Sequence, residues 1–246
     1  MIAEHIHRSV DPRLSEVQKL LALIRNLETR ATDERDPLTS ENATVLRGLF
    51  FVHLYGAFEY SVTLSVEVLL QEMTKVSVPF AQFEHLVHVV ALDAHFRSLA
   101  EPGLKTKWQK RRDLLTKQIS SQSCSLNDTV FHDQLQNVWY RTIQNIFEVL
   151  NVSKAPVPED RIRGYIDEVV DNRNAIAHGR ESAHEVGRRT TSAGLAERLE
   201  AITNEVNHII VCFEEYLENR HFIDSRYRHA YTSSPSPASA GPPHTP

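Results

Sequence analysis

Glycine is scarce in this chain, with 8 residues in 246, and no Asn-Gly or Asp-Gly pair is present. Because tight β-hairpins depend on such pairs, their absence argues against a fold rich in strands. Cysteine is rarer still. Cys124 and Cys212 lie far apart without a Cys-x-x-Cys spacing. A disulfide framework and a zinc site are therefore not expected, and the two thiols fit a reducing compartment.

The chain also lacks the motifs of several enzyme classes. There is no Gly-x-Ser-x-Gly, no Walker loop and no Gly-x-Gly-x-x-Gly, so serine hydrolases, NTPases and dinucleotide enzymes find no support. His85 and His88 lie near Glu84 and Asp93, but without the His-Glu-x-x-His spacing of a helical zinc site. We expect neither a metal nor a cofactor.

Two further absences bear on location and partners. The N-terminus carries His5 and His7 where a signal peptide would have an apolar core, and no wholly apolar run approaches the roughly 20 residues that span a bilayer. We expect a cytoplasmic protein without a membrane segment. The net charge of −5 argues against a generally basic coat for nucleic acid, so any RNA binding must be local.

Apolar residues recur at three- and four-residue steps, which predicts an all-α bundle of about six to seven helices. We expect a first helix after Pro12, a central one from about Thr44 to Thr74, and a regular one from Leu195 to Leu217. Between them the pattern predicts a helix from Phe83 to Val90, one from near Leu104, one from Leu135 to Val149 and one from Glu159 to His178. The stretch from Arg180 to Ser192 has no pattern.

The chain divides into three predicted parts. Residues 1–40 form an N-terminal helix with its connection, and residues 41–222 form the helical domain. Residues 223–246 form a tail that becomes rich in Ser and Pro. From Thr232 onward there is almost no apolar bulk to offset the entropy of ordering, so we expect this tail to be disordered.

Polar chemistry interrupts the core pattern in one place, the run Arg173-Asn174-Ala175-Ile176-Ala177-His178 before Gly179. Arg173 falls near the middle of an apolar stripe, and a guanidinium that cannot lose its proton requires a partner there. Asn174 and His178 are four apart and share a face. A purely structural interpretation also exists, in which His178 lies at the helix C-terminus and Gly179 provides a left-handed cap.

This run resembles the signature of the HEPN superfamily, an Arg, a polar residue and a His near the end of a bundle helix. The segments Leu46-Arg47-Gly48 and Tyr55-Gly56-Ala57-Phe58-Glu59 resemble the corresponding helix of its MAE-like branch, to which the RiboL-PSP branch is a neighbour. The likeness spans roughly Thr44 to Leu217. Many members are metal-independent endoribonucleases that act as dimers in phage defence or as toxins, whereas others keep the fold without the activity.

The resemblance implies Arg173, Asn174 and His178 as catalytic residues. RNA would be cleaved by attack of the ribose 2′-OH, leaving a 2′,3′-cyclic phosphate and a 5′-hydroxyl. His178 suits proton transfer near neutral pH, and Arg173 suits contact with phosphate. Asn174 would orient His178 or contact the scissile phosphate.

Tyr55 and Glu59 are predicted supporting residues. Glu59 falls inside the apolar stripe of the central helix, where a carboxylate needs a cation. We hypothesise that it pairs with Arg173 or His178. The alternative is a carboxylate at the stripe's edge that reaches water.

A basic cluster with one aromatic residue is a candidate RNA-binding surface. Its alternative interpretation is a solvated helix face with Trp108 turned into the core. Arg180, in the polar stretch after the motif, could close over substrate, or that stretch could be an ordinary mobile connection. The cluster comprises Lys105, Lys107, Trp108, Lys110, Arg111 and Arg112.

Three functions remain open at this point. The first is an endoribonuclease that binds RNA and works as a homodimer. The second is a catalytically silent bundle of the same fold that docks a protein or small ligand. The third is a toxin held inactive by a regulatory partner or antitoxin.

Overall fold

The computed structural model describes residues 2–34, 36–100 and 104–232. Eleven α-helices lie within these residues, seven of them eight residues or longer, and none of these residues belongs to a β-strand. The predicted all-α bundle is confirmed. The helices are α1 (Ile2–Glu34), α2 (Pro37–Lys75), α3 (His88–Ala91), α4 (Asp93–Ala100), α5 (Lys107–Gln118), α6 (His132–Leu135), α7 (Tyr140–Val149), α8 (Asp160–Ala177), α9 (Ala183–Gly187), α10 (Ser192–Glu218) and α11 (His229–Thr232).

Helix α2 lies at the centre, as its pattern predicts, and it is covered on several sides. Neighbouring pairs such as Phe50-Phe51 and Leu69-Leu70 are both buried, which a helix with a single apolar face would not show. Helices α1, α8, α9 and α10 all pack on it. By length and composition α2 could also cross a membrane, but 56% of its most apolar window is buried in the bundle, as in a core helix of a soluble fold.

Helix α1 begins at Ile2, well before the start predicted after Pro12, and continues through that proline. Ile6 and Val10 are fully buried and extend the same stripe as Leu14 and Val17. Burial of these side chains offsets the backbone hydrogen bond that Pro12 cannot donate. The prediction that the helix starts after proline was therefore wrong.

The predicted helix from Phe83 to Val90 is also wrong in its extent. Phe83 lies in an isolated bridge to Ile223, and only His88–Ala91 and Asp93–Ala100 are helical here. The His88 ring bonds through Nε2 to the Phe80 carbonyl at 2.8 Å. This tertiary bond and the bridge outcompete local helix formation.

The predicted tail boundary at residue 223 lies too early. Phe222 and Ile223 are fully buried, the Glu84 amide donates to the Phe222 carbonyl, and α11 follows. Residues up to 232 thus belong to the folded bundle. Residues 233–246 lie outside the described residues.

Two glycines allow the short helix α9 to touch α2 backbone to backbone. A Cβ on Gly48 would lie 1.9 Å from the Ala183 carbonyl oxygen, and one on Gly187 would lie 1.9 Å from the Thr44 carbonyl oxygen. Arg47 reinforces the contact, donating to the Gly187 carbonyl at 3.0 Å and to Glu28 at 2.7 Å. The stretch after the motif is therefore fixed to the core, and the mobile connection considered above is not found.

Replacing Gly48 or Gly187 by Ala should destabilise the protein by about 1–3 kcal/mol, because the added methyl group meets a carbonyl oxygen that belongs to the backbone. Urea denaturation at constant m-value would measure the loss. Gly164→Ala is the matched control, since a Cβ there meets nothing within 4 Å, and helix propensity should make it neutral or stabilising. Equal effects at all three positions would contradict the contact.

One carboxyl group in α10 is buried without a partner. Glu205 has no exposed surface, and neither of its carboxylate oxygens has a hydrogen-bond partner among the described residues. Burial raises the pKa of Glu205 to about 8, because a charged carboxylate loses its hydration there. The folded protein thus holds the proton at neutral pH, and the unfolded chain releases it.

This raised pKa makes stability fall as pH rises. Below the ordinary pKa of a Glu both states are protonated. Between that value and about 8 only the folded state holds the proton, so the free energy of unfolding should drop by up to about 1.4 kcal/mol per pH unit. Glu205→Gln should remove this slope when denaturation is compared from pH 5 to 8.5, while exposed Glu200→Gln should keep it. If the free energy of unfolding of the Glu205→Gln variant fell with pH as steeply as that of wild type, the dependence could not be assigned to Glu205.

Candidate functional site

Helix α8 carries the Arg-Asn-x-x-Ala-His run at its C-terminal end. Ile162, Ile166, Val169 and Val170 are buried and fix the helix against α2 and α10. The helix stops where Gly179 adopts a left-handed φ of +67°, which glycine tolerates at no steric cost. The Gly179 and Arg180 amides then donate to the carbonyls of Ile176 and Ala175.

Arg173 is half-buried, and its partner is an aromatic face. The guanidinium carbon lies 4.4 Å from the centre of the Tyr55 ring, within the range of a cation–π contact. Its Nη1 also donates to Asn174 Oδ1 at 2.7 Å. These contacts explain how a cation is accommodated beside the apolar stripe of α8.

Tyr55 holds this arrangement together. Its side chain is almost completely buried, and its hydroxyl donates to Glu59 Oε1 at 2.7 Å and accepts from the Val138 amide at 3.1 Å. Burial first, and then the hydrogen bond to Glu59, raises the pKa of Tyr55 far above its ordinary value. The ring therefore stays neutral and offers Arg173 a fixed surface.

The hypothesised pairing of Glu59 with Arg173 or His178 is not formed in the described part of the chain. Glu59 instead accepts from Tyr55, one helical turn earlier on α2, and Tyr55 in turn contacts Arg173. The i,i+4 spacing brings the hydroxyl and carboxylate together without any contribution from α8. Glu59 thus supports Arg173 indirectly.

Asn174 is buried and bridges two elements. Its Oδ1 accepts from Arg173, and its Nδ2 donates to Asn137 Oδ1 at 3.3 Å. Asn137 lies between α6 and α7, so this bond ties the motif to a segment that sequence reasoning did not connect with it. The His178 amide donates to the Asn174 carbonyl at 3.1 Å, but the Asn174 side chain bonds to Arg173 and Asn137 and not to the His178 ring.

A cleft of about 460 Å³ opens beside Arg173. Of the predicted residues, Arg173 and Glu59 line it. The sequence did not reveal His132 or Gln136 as cleft residues, because only the packing of α6 against α2 brings them there. The full lining is Gly56, Glu59, Tyr60, Thr63, His132, Leu135, Gln136 and Arg173.

His178 lies elsewhere on the surface. It is the exposed C-cap residue of α8 and is not part of the cleft lining. At about 100° and 1.5 Å per residue, it is about 140° around the helix from Arg173 and about 7.5 Å further along. Ala177 beside it is exposed rather than part of the buried stripe. Within one chain, the cleft beside Arg173 thus contains His132 and not His178.

The predicted RNA-binding cluster lies apart from this cleft, on α5 and the turn before it. Trp108 is 75% exposed and stacks against Arg111, so the alternative that turns Trp108 into the core is wrong. Lys110 donates to the Ser98 carbonyl of α4. Arg180 is exposed in the turn between α8 and α9.

Two further observations concern the described residues outside this cleft. A larger cleft of about 690 Å³ lies towards the C-terminal end of α2, lined in part by His5, Glu72 and Tyr231, and contains none of the predicted site residues. Among residues 2–34, 36–100 and 104–232, no group of three His, Cys, Asp or Glu side chains is placed to hold a metal ion.

The profile of the RiboL-PSP-HEPN family matches residues 12–219. The chain belongs to this family. The match confirms the HEPN superfamily and selects the RiboL-PSP branch over the MAE-like one. It extends into α1, which the earlier likeness from Thr44 did not include. No curated protein and no solved structure matches the sequence.

Proposed function

We propose that this HEPN protein is a metal-independent endoribonuclease. The observation that carries the proposal is the open cleft that Arg173 lines together with a histidine, His132, and a carboxylate residue, Glu59. Family membership supports a role with RNA. A biological role in phage defence or as a toxin is part of the proposal.

Arg173 is the phosphate-binding group. The Tyr55 ring and Asn174 hold its guanidinium from two sides, yet it still lines the cleft. A fixed cation at a partly dehydrated site stabilises the negative charge that develops on phosphorus in the transition state. Tyr55 and Asn174 act as positioning residues, because they reach the phosphate only through Arg173.

Cleavage requires two proton transfers. The 2′-oxygen gives up its proton and bonds to phosphorus, the bond from phosphorus to the 5′-oxygen breaks, and that oxygen takes up a proton. His132 is the imidazole within the cleft and carries one of these transfers. Burial and Asp128 raise the pKa of Glu67, while His132 lowers it.

His178 takes the second transfer in a homodimer. Because it lies outside the lining of its own chain's cleft, it would serve the cleft of a second copy. Its exposed position at a helix end suits this role, since it can approach another subunit without unfolding. The turn that presents it is held by α9, which is fixed on α2.

The cleft also has room for a substrate backbone. Gly56 lies in the middle of α2, where glycine costs about 1 kcal/mol relative to Ala, and a Cβ there would meet nothing within 4 Å. Protein packing thus does not account for this glycine. Close approach of a ligand to the helix would account for a glycine at this position.

The decisive assay incubates purified protein with RNA in EDTA and identifies the product ends. Wild type should yield 2′,3′-cyclic phosphates and 5′-hydroxyls. Arg173→Ala should lower kcat/KM by at least about 100-fold, as loss of one transition-state donor typically does. His132→Asn and His178→Ala should each remove one limb of the pH–rate profile.

Exposed Arg25→Ala and exposed His53→Asn are the matched controls, and all variants should unfold as wild type does. Cleavage by wild type that survives in Arg173→Ala or His178→Ala would refute the mechanism. A complete pH profile in His132→Asn would remove only the role of His132.

Gly56→Met tests whether RNA occupies the cleft. The side chain enters open space on a helix, so thermal stability should be unchanged or higher. Activity should fall at least tenfold, since the cleft is filled. Gly164→Met on α8, which is equally open, should keep full activity. A fully active, stable Gly56→Met variant would show that substrate binds elsewhere.

A second candidate function is a silent bundle that docks a partner. Contacts within the protein favour this function, because they give the motif residues a structural role. Arg173 and Asn174 both have intramolecular partners, and His178 lies at a helix cap. Absence of cleavage by purified wild type would favour this role. Toxicity on expression would then indicate a nuclease held inactive by a regulatory protein partner.

A further inference from the structure

Helix α5 is attached to the protein by one face and exposes an apolar stripe on the other. Leu114 is its one buried residue, and its main contacts are with α4 and the turn at Phe80–Gln82. Trp108 and Leu115 on the helix are 75% and 62% exposed, and Ile119, its C-cap residue, is 75% exposed. Soluble proteins seldom expose several large apolar side chains together without a partner.

These three side chains form a single row, here called the outer stripe. They are spaced i, i+7 and i+11, so at about 100° per residue they fall within about 40° of one another, on the side away from Leu114. The row extends over about 16 Å, or three helical turns. Such a row is the pattern with which one helix receives the apolar face of another.

Positive charge flanks the outer stripe. Arg111 and Arg112 lie within about 60° of its axis, and Lys105 and Lys107 lie at its N-terminal end, all exposed. Across α5 there are five Lys or Arg residues and one Asp, in a chain whose net charge is −5. A partner with acidic flanks would therefore be attracted to this helix by its complementary charge, although the protein as a whole is negatively charged.

RNA would satisfy only part of this surface. A base could stack on Trp108, and phosphates could contact the cations. Leu115 and Ile119, however, would gain little from a sugar–phosphate chain, and most of their apolar area would stay in water. A helix with an apolar face covers the whole row and also meets the charge.

We infer that the outer stripe is a docking site for an acidic amphipathic helix of a partner protein. The partner's apolar residues would pack along Trp108, Leu115 and Ile119, and its carboxylates would pair with Arg111 and Arg112. The inference does not depend on RNA cleavage, because none of these residues lines the cleft beside Arg173.

The test titrates the whole protein with a labelled synthetic helical peptide of about 18 residues, long enough to cover the stripe. It carries leucines on one face and glutamates on its flanks. Three further probes are used: the same composition scrambled, the same helix with lysine for glutamate, and a short oligouridine RNA. Fluorescence anisotropy gives each Kd, and a blue shift of Trp emission that disappears in Trp108→Phe locates the contact.

The acidic helix should bind at least tenfold more tightly than the scrambled and lysine peptides. Leu115→Lys with Ile119→Lys should weaken it at least tenfold, whereas Leu38→Lys, at a 64% exposed leucine on α2, should leave it unchanged. Absence of binding, equal binding of the three peptides, or binding of only RNA to this face would overturn the inference.

Discussion

Burial of α2 is the constraint on which the rest of the structure depends. Neighbouring residues along this helix are apolar, so no single partner could remove its surface from water, and a helix of this kind must be enclosed. Helices α1, α8, α9 and α10 provide the enclosure. Their arrangement also decides where the site lies, because Tyr55 is carried by α2 and meets Arg173 of α8 only where the two helices pack together.

The long helices and the family could be predicted from the sequence, because both depend on local patterns. The stripe from Leu195 to Leu217 and the run from Arg173 to His178 are contiguous, and each appears in the structure where the pattern indicates. Short elements could not be predicted in the same way. Phe83 joins Ile223, 140 positions later, and His88 bonds to the Phe80 carbonyl, so tertiary contacts determine that region's conformation.

The candidate site shows the same division. Arg173 was recognisable from its position on an apolar stripe, but the partner hypothesised for it within the protein was Glu59, whereas its guanidinium lies over the ring of Tyr55. The periodicity of a helix indicates in which direction a side chain points. It does not indicate which residue of another helix will contact that side chain. Asn137, which bonds to Asn174, and His132, which lines the cleft, lie in short segments without a periodic signal and are brought to α8 only by folding.

The two glycines between α2 and α9 impose a restriction of an unusual kind. Where a side chain obstructs a substitution, a smaller residue at the neighbouring position can restore the fit. At Gly48 and Gly187 the obstructing atoms are carbonyl oxygens of Ala183 and Thr44, which every amino acid carries. No second substitution at those neighbours can make room, so changes at these two positions have no compensating partner in the chain and require the backbones themselves to separate.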